Sequence, residues 1–116
     1  MSVVTYLDQN ARRSRAVVHG QTLYLAGHTA DRREEDIAGQ TAQVLAKLDE
    51  MLKAAGTDKS KLLSVTIWLA DMKDFAGMNE VYDAWVVQGH QPARCCGAVT
   101  LAAPDIKVEI MAVAAL

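Results

Sequence analysis

Residues 92–116 read PARCCGAVTLAAPDIKVEIMAVAAL, and the reading of this stretch decides the fold. It holds two runs with strand character, 93–100 and 106–115, joined by the AAPD connection at 102–105. On the second run Ile106, Val108, Ile110 and Ala112 share one face, and Lys107, Glu109, Met111 and Val113 share the other, because side chains alternate along a strand. Each run carries a charge that its apolar surroundings do not explain, Arg94 on the first and Glu109 on the second. A desolvated, unpaired charge is expensive. Three readings are open at this point: an Arg94–Glu109 ion pair, a wet strand face, or a small pocket where Arg94 grips an anion and Glu109 handles a proton.

Working back towards the N-terminus, HQP at 90–92 reads as a turn and Gly89 as the stop of a helix. That helix begins at its cap Asp71 and carries an apolar stripe of Phe75, Met78, Tyr82, Trp85 and Val86, with Asn79 on its flank. LLSVTIWLA, 62–70, is a buried strand with β-branched residues through its middle, and TDKSK, 57–61, a loop. Ahead of it, Ile37, Val44, Leu45, Leu48, Met51 and Leu52 recur at spacings of three and four, the mark of an amphipathic helix. Glu34, Glu35 and Asp36 lie near its start, where the helix dipole favours negative charge, and Gly56 is its stop. HTADRREED, 28–36, is a charged loop that begins with His28. AVVHG and TLYLAG, 16–20 and 22–27, make a hairpin across a tight turn, with Gly27 ending the second strand. Residues 2–6 are strand-like and 7–14 a polar connection.

The order β-β-β-α-β-α-β-β predicts one α+β domain over 1–116. Helical crossovers predict parallel neighbours, and hairpins at both ends predict antiparallel ones. The economical architecture is a single mixed sheet with both helices on one face. Arg94, Cys96, Lys107, Glu109 and Met111 are assigned to the opposite face, too mixed for a core and too apolar for open water. Such a face predicts a homo-oligomer. Trp68, Trp85 and Tyr82 read as core.

The totals exclude several classes. With 51% hydrophobic and 22% charged residues the composition is that of a globular protein. Net charge is −2 and no basic run stands out, so the footprint of a nucleic-acid binder is missing. No apolar run is long enough to span a bilayer, and the opening MSVVTYLDQN lacks the plan of a signal peptide, so cytoplasm is the expected compartment and no membrane partner is expected. Cys95 and Cys96 are adjacent and point to opposite faces of a strand, so they are expected to stay reduced. With three scattered histidines, His19, His28 and His90, they form no metal-ligand spacing.

The assembled motifs resemble one family. The helix and strand over 38–70, D-x-x-DFA-x-x-N-x-x-Y at 71–82, PARCC at 92–96 and KVEI at 107–110 are similar to the RidA/YjgF reactive-intermediate deaminases across nearly the whole chain. WLAD, YDAWVVQGH and the compact N-terminal half resemble the shorter, YoaB-like branch. The resemblance implies a chorismate-mutase-like fold, a six-stranded sheet backed by two helices, assembled as a homotrimer with sites between subunits. It implies hydrolysis of enamines and imines such as 2-aminoacrylate to 2-oxo acids and ammonia, with no cofactor or metal. Residue by residue, it implies that Arg94 binds the substrate carboxylate, Glu109 positions water, and Cys96, Asn79 and Gly27 line the pocket. Arg13 stands nearest to a family tyrosine that reaches into the site, and Ala26, His28 and Met111 also depart from the family pattern at the pocket wall.

Those residue types suit that chemistry. A guanidinium meets a carboxylate two-on-two, which a lysine cannot do. A carboxylate can hold a water, take its proton and pass it to the departing amine. Cys96 is either an activated thiolate beside Arg94 or a small packed wall, and the absence of a base placed with it favours the wall. His28 is either a pocket-rim group or a solvated loop histidine. Two other function classes stay open beside the deaminase: a non-catalytic trimer that binds a small carboxylate, and a ribonuclease, against which the charge argues.

Overall fold

The computed structural model describes residues 3–116. Its elements are β1 (Val4–Gln9), β2 (Ser14–His19), β3 (Thr22–His28), α1 (Ile37–Ala54), β4 (Leu62–Leu69), α2 (Phe75–Trp85), β5 (Ala93–Ala98) and β6 (Val108–Ala115). The first strand is longer than expected and absorbs part of the polar 7–14 stretch; Ser2, placed in that strand from sequence, lies outside the described residues.

α1 starts where Asp36 caps it, its side chain accepting from the Gly39 N–H at 2.9 Å. It ends in a paired closure: Thr57 N–H donates to Leu52 O and Gly56 N–H to Lys53 O, both at 3.0 Å, with Gly56 at φ +82°. Asp71 caps a short 3-10 turn, Met72–Asp74, that leads into α2, and not α2 itself. α2 stops at Trp85, four residues short of Gly89, because Val86 adopts an extended backbone. Gly89, at φ +86°, turns the chain towards β5.

The six strands lie in the order β1-β2-β3-β6-β4-β5. β4 and β5, joined through α2, are parallel neighbours, and the other pairs are antiparallel. One expectation fails: β5 and β6 do not form a hairpin. β6 runs between β3 and β4, and β5 is left at the sheet edge. The reason is burial. Val108, Ile110, Ala112 and Ala114 become almost wholly inaccessible between β3 and β4 beneath α1, which an edge position would not provide.

Both helices pack on one face, and Leu23, Leu48, Ile67, Met78, Tyr82 and Ile110 belong to the same core. Gln40 of α1 is fully buried in it. Its Nε2 reaches the carbonyls of Arg33 (2.9 Å), Glu35 (3.1 Å) and Asp105 (3.0 Å), and its Oε1 accepts from Lys107 N–H at 3.0 Å. One side chain thereby ties the loop before α1 to the loop before β6.

The opposite face is uncovered. Register places Tyr6, Val17, Tyr24, Val113, Met111, Glu109, Thr66 and Trp68 on it. Tyr6 is 55% exposed and Tyr24 49%. Trp68 is thus not core: it stands on this open face opposite Glu109. Trp85 is half-buried at the surface, where its Nε1–H donates to Asp49 at 2.9 Å.

Candidate active site

The strand order separates the two charges. Arg94 is opposite Val65 in the parallel β4–β5 pair and Cys96 is opposite Ile67; both partners are buried core residues. Arg94 and Cys96 therefore lie on the helix face, not on the open face assigned to them from sequence. Glu109 is opposite Trp68 and lies on the open face. The ion-pair reading is thereby excluded within one chain.

Around Arg94 the sheet edge and α2 form a cradle. Its Nη1 donates to Asn79 Oδ1 at 2.8 Å. The guanidinium carbon lies 4.9 Å from the Tyr82 ring centre and 6.0 Å from that of Phe75. Phe75, Asn79 and Tyr82 are spaced i, i+4, i+7, so they line one helical face. This spacing is the physical content of the DFA-x-x-N-x-x-Y motif: two aromatic faces and one amide oxygen hold a cation without neutralising it. Reading Phe75 and Tyr82 as core stripe missed this role, although the shared face was visible in the spacing. Among the described residues Arg94 has no acidic ion-pair partner. It opens onto a cleft of about 530 Å³ that Asn79, Tyr82, Asp83 and Gln91 also line. Burial pushes the Tyr82 phenol up, against the pull of the Arg94 charge.

Cys96 is two residues along the same face. Burial pushes its thiol up, and this outweighs the lowering by Arg94. A thiol shifted in that direction lacks the lowered pKa of an activated cysteine. Cys95 points to the other face, and both thiols are free.

Glu109 forms the second group. Its carboxylate leans onto Gly27, where a Cβ would fall on the carboxylate oxygen and lie 3.1 Å from Cδ. The close approach needs a glycine at that position. Among the described residues the carboxylate has no ion-pair partner. The strand beneath is irregular here: between Leu25 and His28 three steps of β3 oppose two of β6. Bulges of this kind re-aim side chains beside functional sites.

The same bulge corrects the placement of His28. Strict alternation would set it on the face opposite Leu25, but the extra residue turns it inwards, and it is 6% exposed at the end of β3, not in a solvated loop. Arg15 Nε donates to its Nε2 at 3.1 Å, and its Nδ1 lies 2.7 Å from the Ala26 carbonyl. Arginine can only donate, so Nδ1 carries the ring proton and the imidazole is neutral. Burial, followed by the nearby cations Arg15, Lys47 and Arg13, holds its pKa below the ordinary value of 6.5. Arg13 lies in the β1–β2 turn and is exposed, its Nη1 donating to Asp8 O at 3.2 Å. The structure thus groups Arg94 with Asn79 and Cys96, groups Glu109 with Gly27, and leaves Arg13 and His28 outside both groups. Among the described residues no cluster of three or more His, Cys, Asp or Glu is placed to hold a metal ion, and no helix is long and apolar enough to cross a membrane.

Known proteins share this architecture. The family model described as Endoribonuclease L-PSP matches residues 5–116. The RutC family protein YoaB of Escherichia coli K12 is 45% identical over 113 residues, 97% of this chain and 98% of that one. A crystal structure of a YjgF family member from Neisseria meningitidis superposes with a TM-score of 0.95 at 41% identity, covering 97% of this chain and 94% of the other. The rat protein named 2-iminobutanoate/2-iminopropanoate deaminase is 34% identical over 107 residues, 87% of this chain and 77% of that one.

Proposed function

Because the chain belongs to the RidA/YjgF family, the family of the Endoribonuclease L-PSP model, and to its YoaB-like branch, we propose that it hydrolyses 2-imino acids, and the enamines that tautomerise to them, at a site shared between two copies of the chain. The observation that carries this reading is the placement of Arg94 and Glu109 on opposite faces of one sheet. Their strands are separated by β4, and their levels differ by three residues, from Val65 to Trp68. At about 4.8 Å per strand and about 3.3 Å per residue their Cα atoms lie roughly 14 Å apart. The carboxylate carbon and imine carbon of a 2-imino acid are bonded neighbours, about 1.5 Å apart. A single chain cannot serve both, so Arg94 on the β5 edge of one copy must meet Glu109 on the open face of another. The exposed Tyr6 and Tyr24 on the same sheet face suit such burial. Contact between two unlike surfaces makes a ring when the rotation between copies closes, and we propose a closed ring of three copies.

In that site the guanidinium, anchored by Asn79, takes the carboxylate with its remaining donors. Glu109 of the adjoining copy holds a water against the C=N carbon. It accepts the proton as the C–O bond forms and returns it to nitrogen, and the carbinolamine collapses to 2-oxo acid and ammonia. For an enamine, protonation at carbon comes first. No group in this scheme needs a metal or a cofactor.

The test uses two inactive variants. Arg94→Ala and Glu109→Gln are each expected to lose turnover of imines generated by an amino-acid oxidase. Mixed trimers regain one junction with both groups, roughly a third of the wild-type rate. Mixtures that stay inactive while native mass spectrometry shows mixed trimers would refute the shared site. A wild-type protein that binds 2-oxo acids but accelerates no imine would replace catalysis by carboxylate binding alone.

A further inference from the structure

Beside Glu109 on the open face stands a large aromatic side chain that the scheme above leaves idle. Trp68 is directly across from Glu109 in the β4–β6 pair, and its neighbour on the other side, in β5, is Gly97. Cross-strand partners on one face hold their Cβ atoms about 4.5–5.5 Å apart. Glu109 leans away from Trp68, onto Gly27. At Gly97 the space is free: a Cβ there would meet nothing within 4 Å. One row across the open face thus reads Gly27, Glu109, Trp68, Gly97, a carboxylate and an indole side by side with a glycine at each end. The indole is half-buried and outside the core. An aromatic side chain on an uncovered face, next to Glu109 and beside the open space over Gly97, offers an apolar wall to a ligand.

We propose that Trp68, with the open space over Gly97, is the side-chain subsite of the reaction, and that it selects 2-imino acids bearing a branched or aromatic apolar side chain over the smallest ones. The inference rests on the deaminase reading. With the carboxylate on Arg94 and water arriving from Glu109, the third substituent of the imine carbon points along the sheet. Gly27 is already covered by the Glu109 carboxylate on one side, so the free direction is towards Trp68 and Gly97. An isobutyl or benzyl group extends further in that direction than a methyl group and has more apolar surface to lay against the indole. Apolar pockets discriminate by about 10–200-fold per methylene.

The experiment compares kcat/KM for imines made by an amino-acid oxidase from leucine, phenylalanine and alanine. Wild type is expected to prefer the leucine- and phenylalanine-derived imines. Trp68→Ala should reduce that preference by about tenfold or more, and Trp68→Phe should retain most of it. Gly97→Val should remove it by occupying the space beside the indole, while Trp85→Phe, at a distant surface, should not alter it. An unchanged preference in both Trp68→Ala and Gly97→Val overturns the subsite. A second readout covers a variant that fails to assemble. In Trp85→Phe the only indole is Trp68, and its fluorescence should change with 4-methyl-2-oxopentanoate far more than with pyruvate; equal or absent responses overturn the subsite. If wild type hydrolyses no imine yet this fluorescence response is present, the catalytic reading fails and the subsite stands. If imines are hydrolysed but the preference ignores both positions, the reverse holds.

Discussion

Replacing Gly27 by alanine should lower turnover about 100-fold while leaving the fold intact. The glycine has no positive φ, so alanine can adopt its backbone without strain. What changes is the space above it. The new methyl would stand 3.1 Å from Glu109 Cδ and 3.3 Å from Cγ, inside the ordinary carbon contact of about 3.5–4.0 Å, with the carboxylate oxygen closer still. The obstructed group is the end of a flexible side chain on an uncovered face, so it can swing aside. Stability should change by under about 1 kcal/mol. The carboxylate, however, must move by on the order of 1 Å, and a misplacement of that size costs about 100-fold in rate. That corresponds to about 2.7 kcal/mol of transition-state stabilisation. The assay is loss of imine, followed by semicarbazide trapping, run beside calorimetry of 2-oxo acid binding and a thermal melt. Turnover should fall with the melt unmoved. Wild-type turnover in Gly27→Ala would refute the argument that Glu109 works from its place over Gly27. An equal loss of turnover and melting temperature would refute the claim that the methyl is accommodated.

Other perturbations separate the remaining parts. Asn79→Ala removes the 2.8 Å bond that orients Arg94, and calorimetry should show 2-oxo acids binding about fivefold more weakly, from a hydrogen bond worth about 1 kcal/mol; unchanged affinity would mean that the aromatic rings alone set the guanidinium. Gln40→Met leaves three carbonyls and the Lys107 N–H without their partner. It should cost about 3 kcal/mol or more, a fall of roughly 10–15 °C in the melt, and a shift under about 3 °C would contradict the assignment of Gln40 as a staple. His28 is held neutral below its ordinary pKa of 6.5, so as pH falls the unfolded chain takes up its proton first. The stability it contributes is complete above about pH 6.5 and is lost as pH falls towards the lower folded value, with a slope of at most about 1.4 kcal/mol per pH unit. Denaturant titrations between pH 7 and 5 should show this slope in wild type and not in His28→Leu; parallel profiles would refute it.

Much of the arrangement is local and can be read along the chain. The order of elements, the amphipathic α1, its Gly56 closure and the alternation along β6 all follow from periods of 3.6 and 2 within short stretches. So does the identity of the candidate groups, since Arg94 and Glu109 are conspicuous wherever the strands go. Even the Arg94 cradle was present as the i, i+4, i+7 spacing of Phe75, Asn79 and Tyr82, though its purpose needed β5 to be laid beneath α2.

What sequence periodicity cannot carry is which strand lies beside which, and with what offset. Alternation says that Arg94 and Cys96 share a face, and that Glu109 and Met111 share one. It does not say whether those faces coincide. That depends on β6 entering between β3 and β4, an exchange of contacts across the whole chain driven by the area its four buried residues remove from water. His28 shows the same limit on a smaller scale, because a single extra residue in β3 reverses its side. The amino-acid order by itself determined the elements, the family and the chemistry available. The tertiary structure decided that Arg94 and Glu109 stand on opposite sides of one sheet, because strand pairing is set by non-local burial and not by the local pattern of any strand.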